Sequence, residues 1–139
     1  MLELAGRLTT GTTVGSCGPR TIASHVAPII TAAAAAAGGP APRIMALVSV
    51  SVTDDPAGAH AEAAERGRVY AELPSYRRAL DREGVHSPAD LLLAGPIDRI
   101  VEGLATYVEA EAELRIVFDT SDERVRNATR DPFAELLTG

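Results

Sequence analysis

The sequence predicts an α/β fold built on parallel strands, and three observations carry that prediction. The runs "RIMALVSVSV" (Arg43–Val52) and "LRIVF" (residues 114–118) are short, rich in β-branched residues and largely continuous in their apolar character, the pattern of strands covered on both faces. Long helical patterns separate them. Prolines at 19, 56, 74 and 88 follow capping or turn residues, marking helix starts between the strands. Strands alternating with helices in this way imply parallel βαβ units with right-handed crossovers.

Taken in order, "MLELAGRL" places Leu2, Ala5 and Leu8 at helical spacing, with Gly11 beyond as a stop. Residues 12–15 read as a brief strand, β-branched and then turning. Gly18 and Pro19 start a helix whose apolar face is Ile22, Val26, Ile29, Ile30 and Ala33, and Gly38 with Gly39 ends it. Pro28 falls inside that pattern and is expected to kink or split it, because its ring opposes the carbonyl of Ser24. Arg43–Val52 is the second strand. Asp54 and Asp55 before Pro56 cap a helix predicted to reach Glu72, and Pro74 opens a segment closed by Gly84.

Ser87 as N-cap, Pro88 at the first helical position and Asp90 at the third predict a further helix start. "PIDRIVEGLATYVEAEA" then carries Ile97, Ile100, Val101, Leu104, Tyr107 and Val108 as the apolar stripe of an amphipathic helix. After the third strand, 114–118, residues Asp119, Thr120 and Ser121 lead into a final helix containing Val125, Pro132, Phe133, Leu136 and Leu137. Three strands make a narrow sheet with two exposed edges, which predicts that the chain is part of something larger.

Composition excludes several functions. A net charge of −6 with scattered arginines lacks the basic footprint of nucleic-acid binding. The apolar stretches fall well short of the roughly 20 residues that span a bilayer. Cys17 is the sole cysteine and no charged and then apolar leader opens the sequence, so a cytoplasmic location is predicted. The apolar residues are mostly alanine and small aliphatics, with no tryptophan, which predicts close helix packing.

The stretches "LAGRLTTGTTVGSCGPRTIASHVAPII", "PRIMALVSVSVTDDPAGAHAEAAERGRVYAELPSYRRALDREGVHSPADLLLAG" and "AELRIVF" resemble, in this order and spacing, the C-terminal part of luciferase-like monooxygenase family proteins. "GPRT" opening a helix, "VTDDPAGA" after a strand and "LPSYRRALDREG" carry the resemblance, which is similar above all to the oxidoreductases of that family that use the deazaflavin coenzyme F420. It implies a portion of a (β/α)8 barrel, with the three strands as the sixth, seventh and eighth and residues 1–139 forming a single partial domain. It also implies F420, or FMN in other branches, at the C-terminal ends of the strands, and hydride transfer with a small organic substrate.

Ser16, Cys17, Gly18, Pro19, Arg20 and Thr21 lie where a strand feeds a helix, the catalytic face of such a barrel, and the resemblance makes them the candidate cofactor-binding residues. Unpaired N–H groups and the helix dipole there suit an anion; the competing reading is a Gly-Pro cap with nothing bound. No catalytic residue is assigned. Cys17 near a helix start could carry a lowered pKa, yet none of the three histidines is a local base for it. His25, His60 and His86 share no metal-ligand spacing, so no metal is predicted. Asp54 and Asp55, and Asp119, Thr120 and Ser121, occupy strand C-termini but also read as caps. Tyr76, Arg77 and Arg78 face a pocket, a partner or solvent. The expected partners are the cofactor and its substrate, together with a second copy of the chain or a missing N-terminal half. The alternative function is a non-enzymatic remnant or assembly module that dimerises through open sheet edges.

Overall fold

The computed structural model describes residues 1–118, 120 and 122–138. Four strands form one parallel sheet: β1 (Gly11–Val14), β2 (Arg43–Val52), β3 (Leu93–Gly95) and β4 (Glu113–Phe118). The long strand β2 pairs with all the others. Ala46 is matched by both Val14 of β1 and Leu114 of β4, and Val50 by both Leu93 of β3 and Phe118 of β4. Two partners at one residue must lie on opposite edges, so β4 holds one edge of β2, and β1 and β3 share the other, one above the other.

One face of this sheet is the core. Ile44, Ala46, Val48 and Val50 point to it at period two and are buried against Ile22, Val26 and Ile30 on one side and Ile100, Leu104 and Tyr107 on the other. Removing each of the fully buried Ile22, Ile30 and Ile100 side chains from water contributes about 1.5–3 kcal/mol. The opposite face carries Met45, Leu47 and Ser49, only half-buried, beside the exposed Glu113, Arg115 and Val117 of β4. An exposed ion pair joins the Arg43 guanidinium to Glu113 on this face, Nε to Oε1 at 2.6 Å. In a closed barrel the uncovered face is the lumen.

The helices follow from local chemistry. α1 (Leu2–Leu8) crosses α3 so closely that a Cβ on Gly6 would stand 2.4 Å from the Ile30 carbonyl oxygen. The run predicted from Pro19 is one continuous helical path, α2 (Pro19–Thr21), a π-helical turn (Ile22–Val26) and α3 (Ala27–Ala36). Pro28 therefore neither splits nor sharply ends the helix: the widened turn before it lets the Ala27 N–H reach back to the Ile22 carbonyl and absorbs the missing donor. The helix closes with the Gly38 N–H on the Ala35 carbonyl and the Gly39 N–H on that of Ala34, a Schellman end.

α4 (Pro56–Glu72) is capped by Asp55, whose carboxylate accepts the Gly58 N–H at 2.9 Å. α5 (Pro74–Glu83) ends at Gly84 in the left-handed region. Ser87 and Asp90 form the predicted capping box, but it starts a single 3-10 turn (Pro88–Leu91) instead of a helix, because β3 follows at once. β3 is a correction to the three-strand expectation. Three residues show no periodicity, and they become a strand only because β1 ends at Val14, opposite Ala46, and leaves the upper edge of β2 to be paired.

α6 (Ile97–Glu109) buries Ile100, Leu104 and Tyr107, whereas Val101 and Val108 of the predicted stripe are 42% and 58% exposed. α7 (Glu123–Thr138) docks on the end of β2 through Thr129, whose hydroxyl accepts the Val52 N–H at 2.9 Å and donates to the Val125 carbonyl at 2.7 Å. The Phe118 and Phe133 rings meet at 6.1 Å. Asp119 and Ser121 of the predicted lead-in lie outside the described residues, and Thr120 accepts the Asp122 N–H as a turn would. Among the described residues no helix is long and apolar enough to cross a membrane.

Candidate functional site

The loop after β1 carries the candidate residues. Ser16 adopts φ +49°, a conformation uncommon for a side-chain-bearing residue outside special sites. The turn brings Cys17 back into the core, 7% exposed, and places Gly18 as the extended residue before Pro19. Gly18 has no side chain with which to cap the helix, and another residue takes that office. Glu83, in the last turn of α5, accepts the Arg20 N–H at 3.2 Å and the Thr21 N–H at 2.7 Å. The Thr21 hydroxyl, 2% exposed as a residue, adds a bond to the Ala79 carbonyl at 3.4 Å. A Cβ on Gly18 would come within 2.2 Å of the Glu83 carboxyl carbon, so glycine is what admits the carboxylate.

The amides that the sequence offers to an anion thus face an anion supplied by the chain itself. Glu83 lies more than sixty residues away, and nothing near it in sequence signals the contact.

Between the end of β1 and the start of β3, the edge of β2 from Leu47 to Ser49 has no strand partner on that side. A cavity of about 220 Å3 opens there, bordered by Ser16, Cys17, Leu47, Ser49 and Tyr107 below and by Arg66, Tyr70 and Ala89 from α4 and the 3-10 turn above. Ser16 and Cys17 are the predicted residues that line it, and Gly18 to Thr21 stand behind, in the helix start. Arg66 pairs with Glu62 one turn earlier. Tyr70 packs on Tyr76 with ring centroids 5.4 Å apart, so Tyr76 joins the cavity's rim through another ring.

Burial governs the titratable groups here. It pushes the Cys17 thiol from 9.0 up to about 11, with the Glu83 charge raising it further and Arg82 opposing. It likewise pushes the Tyr107 phenol from 10.0 up to about 12, aided by Glu83 and Cys17. Both are neutral donors at ordinary pH. A thiol in that state is neither a thiolate nucleophile nor a metal ligand.

The remaining candidates are dispersed. His60 Nδ1 lies 2.9 Å from the Ala89 carbonyl oxygen, the His86 N–H donates to Asp90, and His25 sits on the π-helical turn. Among the described residues no three His, Cys, Asp or Glu side chains gather where they could hold a metal. Arg77 approaches Asp81 at 3.8 Å on the exposed face of α5. Sequence reasoning missed Glu83, which it passed over as the end of a helix, and Tyr107, which it assigned to an apolar stripe.

No protein-family model and no curated protein sequence matches the chain. Among solved structures it is similar to the coenzyme F420 dependent tetrahydromethanopterin reductase from Methanopyrus kandleri, with a TM-score of 0.69 and 17% identity over 92% of the chain and 44% of that protein. It is also similar to an F420-dependent secondary alcohol dehydrogenase in complex with an F420-acetone adduct, with a TM-score of 0.64 and 19% identity over 90% of the chain and 42% of that protein. The chain spans less than half the length of either structure. At these identities the likeness is one of fold: a parallel sheet with helices packed on one face and a bare opposite face makes the chain a portion of a TIM-type (β/α)8 barrel.

Proposed function

We propose that the chain acts as the C-terminal part of a luciferase-like, F420-dependent oxidoreductase barrel, within which hydride passes between F420 and a small organic substrate. One observation carries the reading: the cavity beyond β1 lies at the C-terminal end of a barrel strand, where such barrels hold their ligands, in a fold shared with two F420-dependent enzymes.

At about 220 Å3 the cavity is below the roughly 300–1,000 Å3 that encloses a drug-sized ligand, so these residues fit one part of a tricyclic cofactor or its substrate and not the whole. Ser16 and Cys17 border that part directly. A phosphate at the Arg20 and Thr21 amides requires Glu83 to leave them. The other walls come from an N-terminal barrel half or from a second copy of the chain. F420, when bound, supplies or accepts the hydride; the chain's own contribution is one wall of the pocket, in which the Cys17 thiol and the Tyr107 phenol stay neutral.

The test is a titration of the 139-residue chain with F420 and with FMN, followed by amide NMR. F420 is expected to shift the signals of residues 16–21 and to saturate only above the micromolar range, since one wall alone leaves most of the ligand's surface in water. FMN is the alternative ligand, and shifts from FMN alone would reassign the cofactor. Silence with both overturns the reading.

A second reading, an assembly module without chemistry, is favoured by the outer edges of β1 and β4, which pair with no other described strand. A dimer by sedimentation together with no response to either cofactor would select it.

A further inference from the structure

Two exposed surfaces of the chain carry opposite charge around apolar centres. The first is the elbow where α4 gives way to α5. Val69 and Leu73, one turn apart, are 67% and 41% exposed there, and the Tyr70 and Tyr76 rings, 5.4 Å apart, join the two helices at the bend. Residues 66–78 hold Arg66, Arg68, Arg77 and Arg78 against the single acid Glu72, in a chain of net charge −6. Arg68 and Arg77 approach carboxylates only at 3.9 and 3.8 Å, at exposed positions, and Arg78 makes no ion pair among the described residues. Contacts so loose and so wet contribute little and leave the guanidinium groups able to pair elsewhere. The second surface is the outer face of α6. Val101, Ala105 and Val108 follow one another at i, i+4 and i+7, all exposed. Residues 98–111 hold Asp98, Glu102, Glu109 and Glu111 against Arg99 alone, and none of the four carboxylates is in an ion pair among the described residues. Beside the last two, a trough of about 620 Å3 opens between α6 and α3, walled by the exposed Pro28, Ala32 and Ala35.

We propose that the chain associates with a second copy of itself, the α4–α5 elbow of one copy docking on the α3–α6 face of the other. Val69 and Leu73 enter the alanine-walled trough, and Arg77 and Arg78 meet Glu109 and Glu111 at its rim. The choice of occupant follows from charge. An acidic partner is repelled by the α6 carboxylates, and a wholly apolar one covers them without pairing them. A basic segment with an apolar centre meets both needs, and the elbow is such a segment within the same chain. Its arginines and tyrosines are residue types enriched where proteins meet, the arginine stems adding apolar contact of their own. The contact is heterologous, since the two surfaces are different parts of the chain. It uses neither the outer edges of β1 and β4 nor F420, so it goes beyond the proposed function and is tested apart from it.

The test is sedimentation of the 139-residue chain over a range of concentrations. Self-association is expected in about 0.1 M sodium chloride and about 10-fold weaker association in about 1 M, where the screening length falls from about 10 to about 3 Å. Arg77→Glu with Arg78→Glu, and separately Glu109→Arg with Glu111→Arg, are each expected to weaken association about 10-fold or more. All four side chains are exposed, so both variants should melt as the parent does. The chain carrying all four reversals exchanges the signs of the two surfaces and is expected to associate as the parent does, a rescue that a merely destabilising change would not give. A monomer in about 0.1 M salt overturns the proposal. So does a fourfold variant that stays apart, or association that neither pair of reversals weakens; the last result points to the sheet edges instead.

Discussion

Glu83 accepts the backbone N–H of Thr21 at 2.7 Å, so the start of α2 is capped from the end of another helix. The carboxylate brings negative charge to the positive end of a helix path running from Pro19 to Ala36 and ties α5 to the sheet's core layer. Glu83→Ala is expected to destabilise the chain by about 1–2 kcal/mol, as the loss of a helix cap does, and Glu83→Gln by less, since an amide oxygen still accepts one bond. Urea unfolding of the three proteins measures it. Equal stability of parent and Glu83→Ala would show the contact to be idle.

Thr129 makes the corresponding attachment for α7. Thr129→Val keeps the shape but leaves the Val52 N–H at the end of β2 without its acceptor, at a cost of about 1–3 kcal/mol. Thr129→Ser keeps the hydroxyl and is expected to fall between the two in a thermal melt.

Two glycine substitutions should have opposite signs. Gly6→Ala pushes a methyl group against the Ile30 carbonyl where α1 crosses α3 and is expected to cost about 1–3 kcal/mol. Gly67→Ala, inside α4 with its nearest outside neighbour Pro88 at 3.9 Å, is expected to gain about 0.5–1 kcal/mol from helix propensity. Calorimetric melts of the two variants give the contrast directly.

The thiol and phenol of the cavity give a pH signature. Folding raises Cys17 from 9.0 to about 11 and Tyr107 from 10.0 to about 12, so above pH 9 the folded chain holds protons that the unfolded chain releases. Their contribution is full below pH 9 and declines as pH rises through 9 to 12. Unfolding measured near neutrality and again at about pH 10.5 should show the decline, reduced in Cys17→Ala. By the same shift, Cys17 should react with a disulfide reagent at about pH 8 roughly 100-fold more slowly than an ordinary cysteine.

Features with a local cause were legible in the sequence. Arg43–Val52 is the strand its β-branched run predicts, and helices begin at Pro19, Pro56 and Pro74 because proline, Gly18 and Asp55 act over a single turn. What escaped is set by distant partners. Leu93–Gly95 is a strand only because β2 has a vacant edge, and a π-helical turn, not a kink, accommodates Pro28. The candidate segment 16–21 was found from its strand, turn and Gly-Pro start, yet its chemistry is altered by Glu83, which no spacing rule connects to it. Tyr107 matched the apolar period of α6, and only the folded chain shows that it also lines the cavity beyond β1.

Strand β2 is the one described strand with neighbours on both edges, and those neighbours come from opposite ends of the chain. No pair of strands here is joined by a hairpin, so none can form early at small entropic expense. Each edge of β2 is covered only when a strand arrives across a helical crossover, β1 on one side and β4 on the other, which makes slow folding, with one edge of Arg43–Val52 unprotected until the last strand docks, an inherent property of this topology.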